Sequence, residues 1–177
     1  MKTCIIYFTF SGNNEMLAKD LVEDIGADLF QILEPKKRGM FRIMLDMLFN
    51  RFPKINDLTI DLEGYAHIFL IAPIWNYQIA HPMKTFIRNN KQHLKNYSFI
   101  TLCSGRDTQK EKIADQLEKL VNHKPKVIIE LETRMIITPE QESKGAYKVT
   151  SEDLRKFKQE EGYQMLLNHY LTEEELS

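Results

Sequence analysis

The stretch IIYFTFSGNNEMLAKDL, Ile5 to Leu21, opens on four consecutive apolar residues, breaks at TFSGNN and resumes with a different period. Apolar side chains at successive positions suit a strand covered on both faces, whereas a strand with one wet face would alternate. From Asn13 to Ile25 the residues Met16, Leu17, Leu21 and Ile25 fall at helical spacing, and Gly26 stands where a helix stops. A buried strand that enters a helix through a short polar loop is the building unit of a parallel sheet.

Outward from there the unit recurs. Apolar runs occupy Thr3 to Phe8, Asp28 to Leu33, Ala66 to Ala72, Ser98 to Cys103 and Lys126 to Leu131. Helices are predicted from Pro82 to Asn90, with proline in the first turn, and from Gln109 to Val121, with Ile113, Leu117, Leu120 and Val121 on one face. Ser151 opens SEDLRKF, a capping-type start with acids in its first turn. The alternation predicts an α/β fold in three layers, an open, doubly wound, five-stranded parallel sheet with helices on both sides. Two segments interrupt it. GMFRIMLDMLFNRF, Gly39 to Phe52, reads as a helix with a narrow polar stripe of Arg42, Asp46 and Asn50, inside a helical insert around 36–54; Thr133 to Thr150 reads as loop. No repeat or linker marks a second domain, so residues 1–177 are read as one.

With 177 residues, 43% of them hydrophobic, the chain is long enough for one sizeable core. Lysine and arginine number 24 against 25 acids, so no bulk charge points to nucleic acid and any binding must be local. Cys4 and Cys103 lie inside apolar runs, away from metal or disulfide spacings, as in a reducing compartment. No stretch approaches the roughly 20 apolar residues of a membrane span, and MKTCIIYF has one charged side chain and only a short apolar run, so an untargeted protein is expected. A soluble, cytoplasmic protein without a structural metal is expected.

The break TFSGNN bears on function. A loop between strand and helix faces free N–H groups and about half a positive charge at the helix start. Thr9 and Ser11 add hydroxyl donors, Asn13 and Asn14 add amides, and Gly12 lets the backbone turn without a side chain in the way. No cation occurs in this unit before Lys19. A nucleoside triphosphate loop needs G-x-x-x-x-G-K-[ST] and a dinucleotide loop needs three glycines; neither spacing is present. A single terminal phosphate held by uncharged donors fits. The plain alternative is that Ser11 or Asn13 only caps the helix.

TFSGNNEMLA resembles the phosphate-binding loop of the flavodoxin-like FMN proteins, commonly [ST]-x-[ST]-G-N-T before an acid and a helix. LIAPIWNYQIAHPMKTFI is similar to the P-[IV]-W segment that follows the third strand in many members, and FITLCSGRDT stands where the third flavin loop follows the fourth strand. The resemblance spans about Met1 to Val121. Asn14 replaces the usual threonine, LCSGRD lacks the tyrosine that many flavodoxins stack on the ring, and the near-neutral charge departs from the acidic electron shuttles.

The resemblance implies a strand order of 2-1-3-4-5, so that the loops after the first, third and fourth strands meet at one crevice. It implies FMN, with its phosphate at Thr9, Ser11, Gly12, Asn13 and Asn14. The ring is then expected between Pro73, Ile74, Trp75, Asn76 and Tyr77 on one side and Cys103, Ser104, Gly105 and Arg106 on the other. Trp75, the single tryptophan, or Tyr77 is expected to cover a ring face, although either also fits as a core or surface aromatic. N–H groups near Ser104 and Gly105 are expected at the pyrimidine edge, and Arg106 either near the N1 side or in solvent. Cys103 has no evident histidine partner and reads as a small apolar side chain; His81, before Pro82, reads as a loop residue.

A flavin carries its own redox chemistry, so no catalytic side chain is required. The neutral charge and the apolar insert favour a flavin-dependent oxidoreductase of the NAD(P)H:quinone or flavin-reductase type, with NAD(P)H as donor and a small quinone-like acceptor. A flavodoxin-like electron carrier that docks with partner redox proteins is the rival, and a protein with the fold but no cofactor is a third. The insert either completes the core through Met40, Met44 and Leu48, or presents Phe41, Leu45, Phe49 and Phe52 to a homodimer partner or a flat substrate. With Lys36, Lys37, Arg38 and Arg51 nearby, membrane-surface contact is a further option.

Overall fold

Both faces of the first strand are dry. In the computed structural model β1 (Thr3–Tyr7) sends Cys4 and Ile6 to one side and Ile5 and Tyr7 to the other, all buried, which is why its sequence is apolar at successive positions. The structure describes residues 2–36, 38–105, 107–138 and 147–175, with side chains to Asn168. After β1 come α1 (Asn13–Ile25), β2 (Asp28–Gln31), α2 (Met40–Phe49), β3 (His67–Ile71), β4 (Ile74–Trp75), β5 (Gln78–Ile79) and α3 (His81–Asn90). They are followed by β6 (Tyr97–Cys103), α4 (Gln109–Val121), β7 (Ile128–Glu132), α5 (Ser151–Phe157) and α6 (Glu161–Glu175).

The five long strands pair in parallel in the order β2-β1-β3-β6-β7, the expected doubly wound 2-1-3-4-5. On one face Cys4, Ile6, Ile68 and Leu70 pack against Met83 and Phe86 of α3 and Ile113 and Leu117 of α4. On the other, Ile5, Tyr7, Phe69 and Ile71 meet Leu17 and Leu21 of α1, Phe157 of α5 and Tyr163 of α6. Burying each of Leu17 and Leu21 contributes about 1.5–3 kcal/mol, which holds the start of α1 against the sheet. α1 and α4 have the predicted bounds, and each stops at a left-handed residue, Gly26 (φ 63°) and Asn122 (φ 72°). α5 starts on a capping box in which Asp153 N–H donates to the Thr150 hydroxyl and Thr150 N–H donates to the Asp153 carboxylate.

Four expectations are corrected. The run Asp28 to Leu33 is strand only to Gln31, because β2 is an edge strand and Leu33 turns out to solvent. His81 is no loop residue: it is buried and opens α3, where the Ala80 carbonyl accepts from Met83 and Lys84 N–H and Pro82 fits the first turn. Between β3 and α3 lies a short hairpin whose turn residues Asn76 and Tyr77 both have positive φ, 46° and 64°. Two-residue strands leave no period to read, and Asn-Tyr is not the usual turn pair.

The fourth concerns the insert. Its polar stripe does not face water as a unit, since Asp46 is buried and paired with Arg38, while Met40, Phe41, Met44, Leu48 and Phe49 are exposed. Met40, Met44 and Leu48 therefore do not complete the core. The Arg38 guanidinium, itself mostly buried, takes Glu34 and Asp46 as partners, and a helix that turns its one acid inward turns its apolar side outward. Lys37, Arg106 and residues 139–146 of the segment read as loop lie outside the described residues; within the rest of that segment Thr133–Met135 forms a 3-10 turn.

Candidate functional site

Among the described residues no side chain caps α1. Its N-cap position is Gly12, with φ 97°, and the first helical bond runs from Met16 N–H to the Gly12 carbonyl at 3.0 Å. The alternative in which Ser11 or Asn13 merely caps the helix is thus not realised. The N–H groups of Asn13, Asn14 and Glu15 precede that first bond at the positive end of the helix. Gly12 N–H donates to Thr9 Oγ1 at 3.0 Å, which folds the loop over and leaves the hydroxyl proton of Thr9 free to serve a second partner. A Cβ on Gly12 would meet none of the described residues within 4 Å, so among them the space before the loop is open, and Ser11 faces solvent.

Of the two expected amide donors, that of Asn13 is committed elsewhere, while Asn14 is tied down through its oxygen. Asn13 Nδ2 donates to the Tyr147 carbonyl at 2.7 Å and Asn13 Oδ1 accepts from Val149 N–H at 3.1 Å, so this side chain clasps the segment before α5. Asn14 is buried, and its Oδ1 accepts from Leu102 N–H at 3.1 Å, which fastens the start of α1 to β6. A buried peptide N–H needs an acceptor, and that demand takes the asparagine oxygen. Asn13 thus offers the cradle its backbone N–H alone, whereas Asn14 offers its backbone N–H and a side-chain Nδ2 that the bond to Leu102 does not use.

The loops after β1 and β3 share an aromatic cluster. Phe8 N–H donates to the Ile71 carbonyl at 2.9 Å, and half-buried Trp75 stands edge-on to Phe8 (centroids 6.1 Å apart) and Phe10 (5.9 Å). Phe10 is 51% exposed, so the cluster opens to solvent. Pro73 and Ile74 are partly covered and Asn76 is exposed at the hairpin tip. Tyr77 leans away toward α4: its ring lies 3.7 Å from Lys112 Nζ and its carbonyl accepts from Gln116 Nε2 at 2.7 Å.

The loop after β6 is held from β7. The Cys103 carbonyl accepts from Thr133 Oγ1 at 3.1 Å, and its thiol accepts from Gln109 Nε2 at 3.2 Å. Gly105 adopts φ 74°, and a Cβ there would come within 2.4 Å of Glu132 Oε2. Ser104 is exposed. Burial pushes the Cys103 thiol up to about 11 and the Cys4 thiol to about 12, against an ordinary 9.0. The thiolate fraction at pH 8 is therefore about a hundredfold below that of a free cysteine for Cys103, and lower still for Cys4. Disulfide exchange with an aromatic disulfide reagent at pH 8 is expected to run at least about a hundredfold slower in the folded protein than in the urea-unfolded chain; comparable rates would show an accessible, activated thiol.

Sequence reasoning missed four residues. Phe8, Phe10, Glu34 and Arg38, with Thr9, line a cavity of about 330 Å³ beside the cradle. Phe10 was legible as an apolar residue inside a polar loop, while Glu34 and Arg38 offered only their i, i+4 spacing. Next to Arg38 lies His81, 1% exposed, with neither ring nitrogen hydrogen-bonded among the described residues. Burial, then the nearby Lys84 and Arg38 charges, hold its imidazole down at about 4. Burial also lowers Lys84 to about 8, although its ammonium donates to Gln78 Oε1 at 3.1 Å.

No protein-family model matches this sequence, and neither does any curated protein. Solved structures do. A flavoprotein from Lactobacillus acidophilus, in complex with FMN, superposes with a TM-score of 0.65 at 17% identity over 76% of this chain and 95% of its own. Oxidised flavodoxin 1 from Bacillus cereus gives 0.54 at 14% identity, over 97% of this chain and 98% of its own. A flavodoxin, WrbA-like protein from Agrobacterium tumefaciens gives 0.53 at 12%, over the same shares. At these identities the likeness is one of fold, and the fold is flavodoxin-like.

Proposed function

We propose that this flavodoxin-like chain binds FMN at the carboxyl edge of its sheet and acts as a flavin-dependent oxidoreductase of the NAD(P)H:quinone or flavin-reductase type. The observation that carries the cofactor is the start of α1, which among the described residues is uncapped, has its first N–H groups free and faces open space in front of Gly12, with the Thr9 and Ser11 hydroxyls beside it. A small dianion held by uncharged donors suits this set, and the Lactobacillus acidophilus flavoprotein, which holds FMN on the same fold, supports the choice. Bound there, FMN would supply one- and two-electron transfer, chemistry that the side chains lack.

The chain's own residues divide the work. The backbone around Gly12, Asn13 and Asn14, with Thr9 and Ser11, would grip the phosphate; Pro73, Ile74, Trp75 and Asn76 on one side and Cys103, Ser104 and Gly105 on the other would bound the ring. Phe10 and Trp75, edge-on to each other, would shield that edge from water. Tyr77, turned onto Lys112, is the weaker candidate for a ring contact. A net charge of −1 and the cavity beside Phe10 favour a small-molecule acceptor over docking with a redox protein.

Fluorescence titration of the apoprotein with FMN tests the cradle. Ser11→Ala is expected to weaken FMN binding roughly tenfold, the value of one hydrogen bond to a charged group, with no change in melting temperature. Unchanged affinity would remove Ser11 from the site. Anaerobic mixing of the loaded protein with NADPH and a quinone separates the classes: rapid bleaching and steady turnover mark the oxidoreductase, while reduction only by another redox protein marks the carrier.

A further inference from the structure

α2 is amphipathic inside out. Met40, Phe41, Met44, Leu48 and Phe49 are exposed by 65, 67, 48, 71 and 59%, and they make up more than half of the large exposed apolar side chains among the described residues. At 3.6 residues per turn these five fall within one half of the helix circumference, and the buried Ile43 and Asp46 lie in the other. Asp46 paired with Arg38 anchors the helix from beneath, so its apolar side is held outward. A contiguous apolar face of this kind on a monomer marks a contact surface.

The surroundings of that face are cationic. Lys36, Arg42, Arg51 and Lys54 are all exposed. From Glu34 to Lys54 the sequence has six cations, Lys36, Lys37, Arg38, Arg42, Arg51 and Lys54, against two acids, a surplus of four in a chain whose net charge is −1. Both acids, Glu34 and Asp46, are turned onto Arg38, so the charge that this segment shows to solvent is positive.

Charge decides the occupant. A second copy docked through the same face would bring this cationic ring against itself across a twofold axis. An anionic bilayer complements both parts, its acyl boundary taking the apolar half-circumference and its headgroups the cations. We propose that α2 is an interfacial anchor that seats the protein on anionic phospholipid surfaces. Among the described residues no helix is long and apolar enough to cross a membrane, so the contact is made in the plane of the surface. Arg38, which secures α2, also lines the cavity with Thr9 and Phe10, so seating would bring the carboxyl edge of the sheet close to the lipid. The anchor is independent of the flavin assignment and would persist in protein free of FMN.

Flotation of the full chain with lipid vesicles tests it. Vesicles of phosphatidylcholine with about one-third phosphatidylglycerol should carry at least about tenfold more protein than phosphatidylcholine alone, and high salt should abolish the difference. Arg42→Gln and Arg51→Gln should each lower partition about fivefold, and Phe41→Ser with Leu48→Ser at least about tenfold. All four side chains face solvent, so circular dichroism should be unchanged; the lipid and salt comparisons need no variant at all. Absence of the chain from the anionic vesicles, or equal partition to both compositions, would overturn the proposal. So would a dimer in sedimentation equilibrium that Phe41→Ser with Leu48→Ser dissociates while vesicle partition stays unchanged.

Discussion

Between pH 6.5 and pH 4 the protein is expected to lose about 3 kcal/mol of stability at one residue, His81. Its folded value of about 4 lies below the ordinary 6.5, because the ring is buried without a hydrogen bond among the described residues, near Lys84 and Arg38. In this window the unfolded chain takes up a proton that the folded chain refuses, so stability falls with pH by about 1.4 kcal/mol per unit and levels off below the folded value. Glu34, raised by burial against the pull of Arg38, binds its proton earlier when folded and works in the opposite direction. The difference between wild type and His81→Leu isolates the histidine. His81→Leu removes two unpartnered ring nitrogens, so it should be no less stable at pH 7 and should lack this part of the acid slope. Urea unfolding midpoints across the range read the result, and parallel profiles for the two proteins would contradict it.

Asn14→Leu is expected to cost about 2 kcal/mol, because Leu102 N–H then loses its acceptor in the interior. For a domain of this size that corresponds to roughly 4–8 °C in melting temperature. The same bond fixes the start of α1 to β6, so FMN affinity should fall as well, although the Asn14 oxygen does not face the cradle. Ser11→Ala supplies the contrast, with affinity lost and stability kept. An unchanged melting temperature in Asn14→Leu would mean that Leu102 N–H has found another partner and that the tether does not position the loop.

The sheet was legible because β1, β3 and β6 are dry on both faces and so read as continuous apolar runs, while α1 and α4 show a clean helical period with a left-handed residue at each end. Gly12 was legible for its conformation, which the loop uses at φ 97°. Asn13 and Asn14 were not, because a side-chain amide in a polar loop can serve a ligand or a distant backbone, and the partners at Tyr147, Val149 and Leu102 are remote in sequence. His81 was hidden by Pro82, which signals a loop and a first helical turn equally well. The orientation of α2 turned on one ion pair between Arg38 and Asp46, and hydrophobic periodicity alone gives a face without saying which way it points.

In the proposed FMN complex the start of α1 grips the phosphate. Calorimetric titration of the apoprotein with FMN and with riboflavin, which differ by that phosphate alone, reads this grip. Several charge-assisted bonds at once predict at least about a hundredfold tighter binding of FMN. Equal affinity for the two flavins, or binding of neither, would rule out a phosphate cradle at α1.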